Sequence, residues 1–161
     1  MNQLLDLLRK NARCSNAELA ERVGEPEDKV AAQIAAWEKD GTIRGYHAMI
    51  DPARDGEEDV TAFIEVRLNP ERGGGFDRLA RRIARFEQVI SCYLISGGYD
   101  LLVMVDGRDL LGVAGFVSEK LSTVEGVVST ATHFRLKSYK EKGFLFGENV
   151  SSMATDHKMS S

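Results

Sequence analysis

Leu4, Leu5, Leu7, Leu8 and Ala12 recur at helical spacing and predict a first amphipathic helix over residues 2–12. Arg9, Lys10 and Asn11 stand near its end, where positive charge suits the helix dipole. Ser15-Asn16-Ala17-Glu18 has the S-x-x-E form of a capping box and opens a second helix, with Leu19, Ala20 and Val23 apolar. Gly24 stops it. Pro26 is tolerated only in a helix's first turn, so a third helix begins there. Its apolar face is Val30, Ile34 and Trp37, and Gly41 is its stop. Three such helices, with a short Gly-containing turn between the second and third, form a helix-turn-helix pattern over residues 1–50. Thr42 to Ile50, with Ile43, Tyr46, Ala48 and Ile50 apolar, predicts a strand that serves as a wing or a linker.

Residues 51–59 break the rhythm. Five acids and one base surround Pro52 and Gly56, which predicts a solvated hinge and a domain boundary. Beyond it, Val60 to Leu68 reads as a strand. Gly73-Gly74-Gly75 reads as a turn. Phe76, Leu79, Ile83 and Phe86 predict a helix to about Glu87. Val89 to Ser96 and Tyr99 to Val105 are strands joined by Gly97-Gly98 as a tight hairpin turn. Leu110, Val113 or Ala114, Val117 and Leu121 predict another helix, broken at Gly126, and Val127 to Tyr139 a last strand. The order β-α-β-β-α-β over residues 60–146 is the split βαβ, or ferredoxin-like, arrangement. The fold class is therefore α+β. Residues 147–161 are polar and Ser-rich and read as a flexible tail.

The chain has 161 residues, of which 43% are hydrophobic and 29% charged, a soluble globular composition. No apolar run approaches the length of a membrane span, and the first residues lack a signal peptide's basic start. A cytoplasmic protein with no membrane partner is expected. Cys14 and Cys92 have no CxxC partner, so neither a zinc module nor a disulfide scaffold is predicted. They read as small packing residues. His47, His133 and His157 lie far apart, and Gly73-Gly74-Gly75 lacks the Gly-Lys-Ser/Thr of a P-loop. No catalytic residue, metal or cofactor is expected. The net charge of −4 gives no bulk attraction to nucleic acid.

One loop stands out chemically: Ser96-Gly97-Gly98-Tyr99-Asp100. Two glycines let a ligand's carboxylate approach backbone N–H groups. Asp100 suits an ammonium, and Tyr99 suits an aliphatic side chain. By spacing alone an ordinary hairpin turn, with Asp100 bonded to its own backbone, is the stronger reading of the same residues. Ser129, Thr130 and Thr132 offer hydroxyls, but such residues are also simply good strand formers. Arg78, Arg81, Arg82 and Arg85 fall on one helix, either as its solvated face or facing an anionic partner.

A helix-turn-helix followed by a ferredoxin-like domain resembles the Lrp/AsnC, or feast/famine, family of transcription regulators over residues 3–142. Ala12 to Ala20 resembles the family's second-helix entry. Val30, Ile34, Trp37, Gly41, Ile43, Gly45 and Tyr46 match the third helix and its exit. Ser96 to Asp100 resembles the sensor hairpin, and Gly126-Val127 the start of the last strand. The resemblance implies a homodimer built by the sensor domains, often assembled into octamers. It implies DNA binding by the N-terminal domain, and a small effector, usually an amino acid, near the glycine hairpin at interfaces between sensor dimers. It implies no enzymatic activity. Some haem-pathway decarboxylases resemble the two-domain architecture, but they need clustered His and Arg that this sequence lacks.

The recognition helix departs from the family. Where several Arg or Lys are usual, this chain reads Ala31-Ala32-Gln33-Ile34-Ala35-Ala36. Residues 25–40 hold five acids, Glu25, Glu27, Asp28, Glu38 and Asp40, against Lys29 and Lys39. Phosphate contacts supply most non-specific affinity, so this helix starts at a disadvantage. The candidate DNA contacts are Gln33, suited to a bidentate pair with adenine, and Lys29, Arg13, Arg22 and Arg44 for phosphates. The alternative is an amino-acid sensor or assembly module of the same family with weak or lost DNA binding.

Overall fold

The computed structural model describes residues 3–56, 59–69 and 75–147. It divides into two compact units between Met49 and Ile50. Gly73 and Gly74 of the expected turn, and residues 148–161 of the expected tail, lie outside the described residues.

The first unit is three helices. Helix α1 spans Gln3–Lys10 and stops short of the expected residue 12. There the Asn11 carboxamide accepts a hydrogen bond from the Arg13 N–H at 3.0 Å, favouring a turn over another helical step. Helix α2, Asn16–Val23, begins with the complete capping box: Glu18 N–H donates to Ser15 Oγ at 3.1 Å, and Ser15 N–H donates to Glu18 Oε2 at 2.8 Å. Gly24 ends it at φ 71°, a left-handed conformation that glycine adopts without a Cβ penalty. Helix α3 runs Glu27–Asp40 with Pro26 as its N-cap. Leu4, Leu19, Ala20, Val30 and Trp37 form one buried cluster, with Ile34, Cys14 and Ile43 against it.

Thr42 to Ile50 was the expected strand, and it is irregular chain. Among the described residues its backbone has no ladder partner. Ile43 instead folds back, donating its N–H to the Trp37 carbonyl at 3.0 Å, and most neighbouring side chains are exposed. The 51–59 stretch contains one helical turn, α4 (Pro52–Asp55), capped by Asp51 Oδ1 accepting from Ala53 N–H at 3.0 Å.

The second unit is a four-stranded antiparallel sheet in the order β2-β3-β1-β4, with β1 Val60–Leu68, β2 Val89–Leu94, β3 Leu101–Gly107 and β4 Val127–Phe134. Helices α5 (Gly75–Ile83) and α6 (Leu110–Phe116) supply Leu79, Ile83, Val113 and Phe116 to a core built on Ala62, Ile64, Val66, Leu101, Val103 and Val105. This is the expected βαββαβ order.

Four boundaries differ from expectation. Helix α5 ends at Ile83, but Ala84 N–H to Ala80 O at 2.9 Å and Phe86 N–H to Ile83 O at 3.1 Å carry the turn onward. A π-helical turn, Val117–Leu121, follows α6. The buried positions there are Val113, Phe116, Leu121 and Val124, and the step of five is one residue too long for an α-turn. The Ser122 N–H to Val117 O bond at 2.8 Å absorbs the extra residue. The last strand ends at Phe134, and a small hairpin of β5 (Lys140–Glu141) and β6 (Phe144–Leu145) comes after it. The fourth difference, between β2 and β3, shapes the candidate site.

Candidate functional site

Leu94 pairs with Leu101, so β2 and β3 are joined by the six residues Ile95–Asp100 and not by a two-glycine turn. The cause is Asp100. Its Oδ2 accepts from the Leu68 N–H at 2.7 Å, and its own N–H donates to the Val66 carbonyl at 3.0 Å. Asp100 is thereby drawn onto the end of β1, and its carbonyl accepts from Ile95 N–H at 2.8 Å to close the loop. Ser96, Gly97 and Gly98 are exposed, Tyr99 half-buried. Among the described residues, no partner takes the backbone N–H of Ser96, Gly97, Gly98 or Tyr99. A Cβ at Gly97 or Gly98 would meet nothing within 4 Å. The loop is thus an open, pinned arc with four backbone donors available to an anion. Sequence reasoning placed these five residues together but missed the Leu68 amide that fixes Asp100. Nothing local signals it, because the partner is 32 positions away.

The polar strand residues are less convergent. Thr130 lies opposite Val66 and Thr132 opposite Ile64, whereas Ser129 lies opposite Arg67. Alternation therefore places Ser129 on the other face of the sheet from the two threonines. Among the described residues, three groups outside the loop have shifted ionisation: Cys92, Asp40 and Tyr46. Burial raises the Cys92 thiol above its ordinary value, consistent with a packing residue. The hydrogen bonds from Thr42 hold the Asp40 carboxyl below its usual value, the backbone one measuring 2.8 Å.

In the helix-turn-helix unit, Lys29 and Gln33 stand one turn apart on α3. Both border a hollow of about 270 Å³ that Gln3, Leu4, Val23, Glu25 and Val30 complete. Lys29 is already engaged: its Nζ lies 2.7 Å from Glu25 Oε2. Glu25 precedes the Pro26 N-cap, so the pair ties the turn between α2 and α3 to the first turn of α3. Arg13, Arg22 and Arg44 are exposed but not gathered with Lys29 and Gln33 in that hollow. Arg22 contributes its carbonyl to Gln3 Nε2 at 3.3 Å, and the Arg44 guanidinium lies against Gly41, with Cζ 3.1 Å from where a Cβ would stand. Ala32, Ala35 and Ala36 present a bare methyl face. Glu38, missed as a functional residue, accepts from Tyr46 Oη at 2.8 Å and raises that phenol above its ordinary value. Among the described residues, no helix is long and apolar enough to cross a membrane.

Fold and site together define a two-part regulator, a helix-turn-helix reader linked to an α+β unit with a ligand-accessible loop. Residues 2–44 match the profile of winged helix-turn-helix DNA-binding domains, and residues 61–144 match the Lrp/AsnC ligand binding domain. The chain belongs to the Lrp/AsnC family of transcription regulators. It is 48% identical over 145 residues to the HTH-type transcriptional regulator YugG of Bacillus subtilis, covering 89% of this chain and 87% of that one. It is 36% identical to the proline dehydrogenase transcriptional activator of Rhodobacter capsulatus, covering 87% and 90%. Among solved structures it resembles a Neisseria meningitidis transcriptional regulator in complex with L-methionine, at 25% identity and TM-score 0.66, covering 88% of this chain and 93% of that one.

Proposed function

We propose that this regulator senses a free amino acid through the Ser96–Asp100 loop and couples that binding to how its subunits assemble on DNA. The observation that carries the reading is the pinned arc of four unpartnered N–H groups beside the Asp100 carboxylate. An α-amino acid carries a carboxylate for the arc and an ammonium for the remaining oxygen of Asp100, while Tyr99 covers its side chain. The similar regulator solved with L-methionine supports this ligand class. The ligand site lies within the sensor unit, so effector binding reaches DNA through assembly. The sensor unit, residues 60–146, forms a homodimer and a larger ring such as an octamer. Residues 1–50 read DNA, with Gln33 contacting a base and Lys29, Arg13, Arg22 and Arg44 contacting phosphates. Residues 51–59 serve as the hinge. Each subunit grips DNA weakly, because α3 is base-poor and Lys29 is paired with Glu25. Multivalent assembly compensates. The protein acts in the cytoplasm and is not an enzyme.

The α3 composition also favours a second reading, a sensor that no longer binds DNA. A thermal-shift screen of free amino acids, paired with fluorescence anisotropy on duplex DNA at low salt, separates the two. The proposal requires both a responding amino acid and DNA binding by the oligomer. A ligand response without DNA binding selects the sensor-only reading. Loss of both overturns the proposal. Gly98→Val, which meets open space in the fold, should abolish the ligand response and leave the melting temperature of the free protein unchanged.

A further inference from the structure

Four arginines on the sensor unit, Arg78, Arg81, Arg82 and Arg85, follow the i, i+3, i+4, i+7 pattern that gives a single helical stripe. All four are exposed. Arg85 lies past the end of α5, but the Ala84 N–H to Ala80 O bond and the Arg85 N–H to Arg82 O bond at 3.3 Å continue the helical path. The stripe is about 10 Å long at about 1.5 Å per residue. That length covers the axial rise of about three phosphates on one DNA strand, at about 3.4 Å each.

Two features mark the stripe as more than a solvated face. First, among the described residues, Arg81, Arg82 and Arg85 have no ion-pair or hydrogen-bond partner for their guanidinium groups. In the first unit Arg9 is held by Asp6 at 2.7 Å and Lys29 by Glu25 at 2.7 Å, whereas Lys10, Arg13, Arg22, Lys39 and Arg44 are as free among the described residues as the three arginines. Second, every base on α5 is arginine, whose planar fork matches phosphate oxygens two at a time. A helix dipole favours Arg81 and Arg82 in the last turn, but it disfavours Arg78 in the first.

The reading unit itself brings little net charge to DNA. Residues 1–49 hold eight acids against seven bases. A DNA-binding protein that draws little phosphate affinity from its reading head must obtain it elsewhere.

We infer that the arginine stripe Arg78–Arg81–Arg82–Arg85 is a second DNA contact, which grips the phosphate backbone of a duplex independently of its sequence. This rests on the reading of the chain as a DNA-binding regulator. The stripe supplies affinity and the helix-turn-helix supplies sequence preference, so the two are separable by experiment.

The test is R81Q/R82Q/R85Q in the full chain, measured by anisotropy on duplexes of two unrelated sequences across a salt series. The expected log–log salt slope is shallower by about 2–3, since each phosphate contact adds about 0.9. Binding at low salt should weaken by about tenfold or more on both sequences alike. R81K/R82K/R85K, which keeps the charge, should recover most of the slope. Light scattering and circular dichroism should show unchanged assembly and fold. An unchanged slope overturns the inference. So does a variant whose oligomer shrinks while its DNA affinity per oligomer is retained, because the stripe would then bind an acidic surface of a second copy. If Gln33→Ala alters sequence preference while the arginine variant binds as before, the regulator reading stands and the stripe falls. If the wild-type chain binds neither duplex at low salt, both fall.

Discussion

The Asp100 carboxylate accepts the Leu68 amide at 2.7 Å, tying the β2–β3 loop to the end of the central strand β1. That bond gives the candidate ligand loop its shape. Asp100→Ala leaves a partly buried N–H without its acceptor and should cost about 1–3 kcal/mol in urea unfolding. Asp100→Asn retains an acceptor oxygen and should cost less, yet it removes the charge that an ammonium needs. Calorimetric titration with the responding amino acid should therefore show near-native stability but lost binding for Asp100→Asn. Unchanged binding in that variant would remove the carboxylate from the ligand site.

Gly126 should be the most substitution-sensitive glycine in the sensor unit. It sits at φ 97°, and a Cβ there would stand 2.6 Å from Leu79 Cδ1, inside the core. Gly126→Ala should destabilise by about 1–3 kcal/mol through overpacking, read as a lowered thermal midpoint. Gly115→Ala, where a Cβ meets nothing within 4 Å, is the control and should leave the midpoint unchanged or slightly raised.

On α3 the prediction concerns charge. Ala32 and Ala36 are exposed one turn apart. Replacing both with Arg should tighten non-specific DNA binding and steepen the salt slope by about 2, at about 0.9 per contact. Gln33→Ala should instead relax sequence preference by about 1–3 kcal/mol if the carboxamide pairs with a base, leaving the slope unchanged. A wild-type slope equivalent to six or more contacts that neither the α3 nor the α5 substitutions change would mean that another surface faces the DNA.

Tyr46 offers a test of how the chain leaves α3. Its hydroxyl donates to Glu38 at 2.8 Å, and this bond raises its pKa above the ordinary value of 10.0. Folding thus favours the protonated phenol. The bond's contribution is whole below pH 10 and is lost as pH climbs through the raised folded value. In an ultraviolet difference titration, one of the four tyrosines should ionise late, and Glu38→Ala should return it to the ordinary range.

What the sequence made legible was local. The Ser15–Glu18 capping box needs only its own four residues, and it forms as expected. Val30 and Trp37 are buried because their spacing fixes one face of α3 whatever lies opposite. Expectations failed where the deciding partner was distant or absent. Thr42 to Ile50 has strand-like alternation, but a strand exists only with a neighbour to pair with. Gly97-Gly98 has the composition of a two-residue turn, and Asp100 overrides it by bonding to Leu68. The Val117–Leu121 turn was hidden because Val113, Val117 and Leu121 look regular at steps of four. The core buries Phe116 more deeply than Val117, which is only partly buried against it, and the backbone widens to reach Leu121. The arginine stripe was legible as a pattern, but only the fold shows that, among the described residues, Arg81, Arg82 and Arg85 have no side-chain partner.

Strand β1, like β3, has neighbours on both sides, here β3 and β4, and is held by two ladders. Its first residue, Val60, continues the chain arriving from the reading head, and its last, Leu68, is the one Asp100 grips. Nine residues, about 30 Å of extended backbone, join these two ends. The Asp100 anchor and the acidic connector therefore stand at opposite ends of one paired strand, whose ladder is interrupted only by the register shift between Arg67 and Leu68.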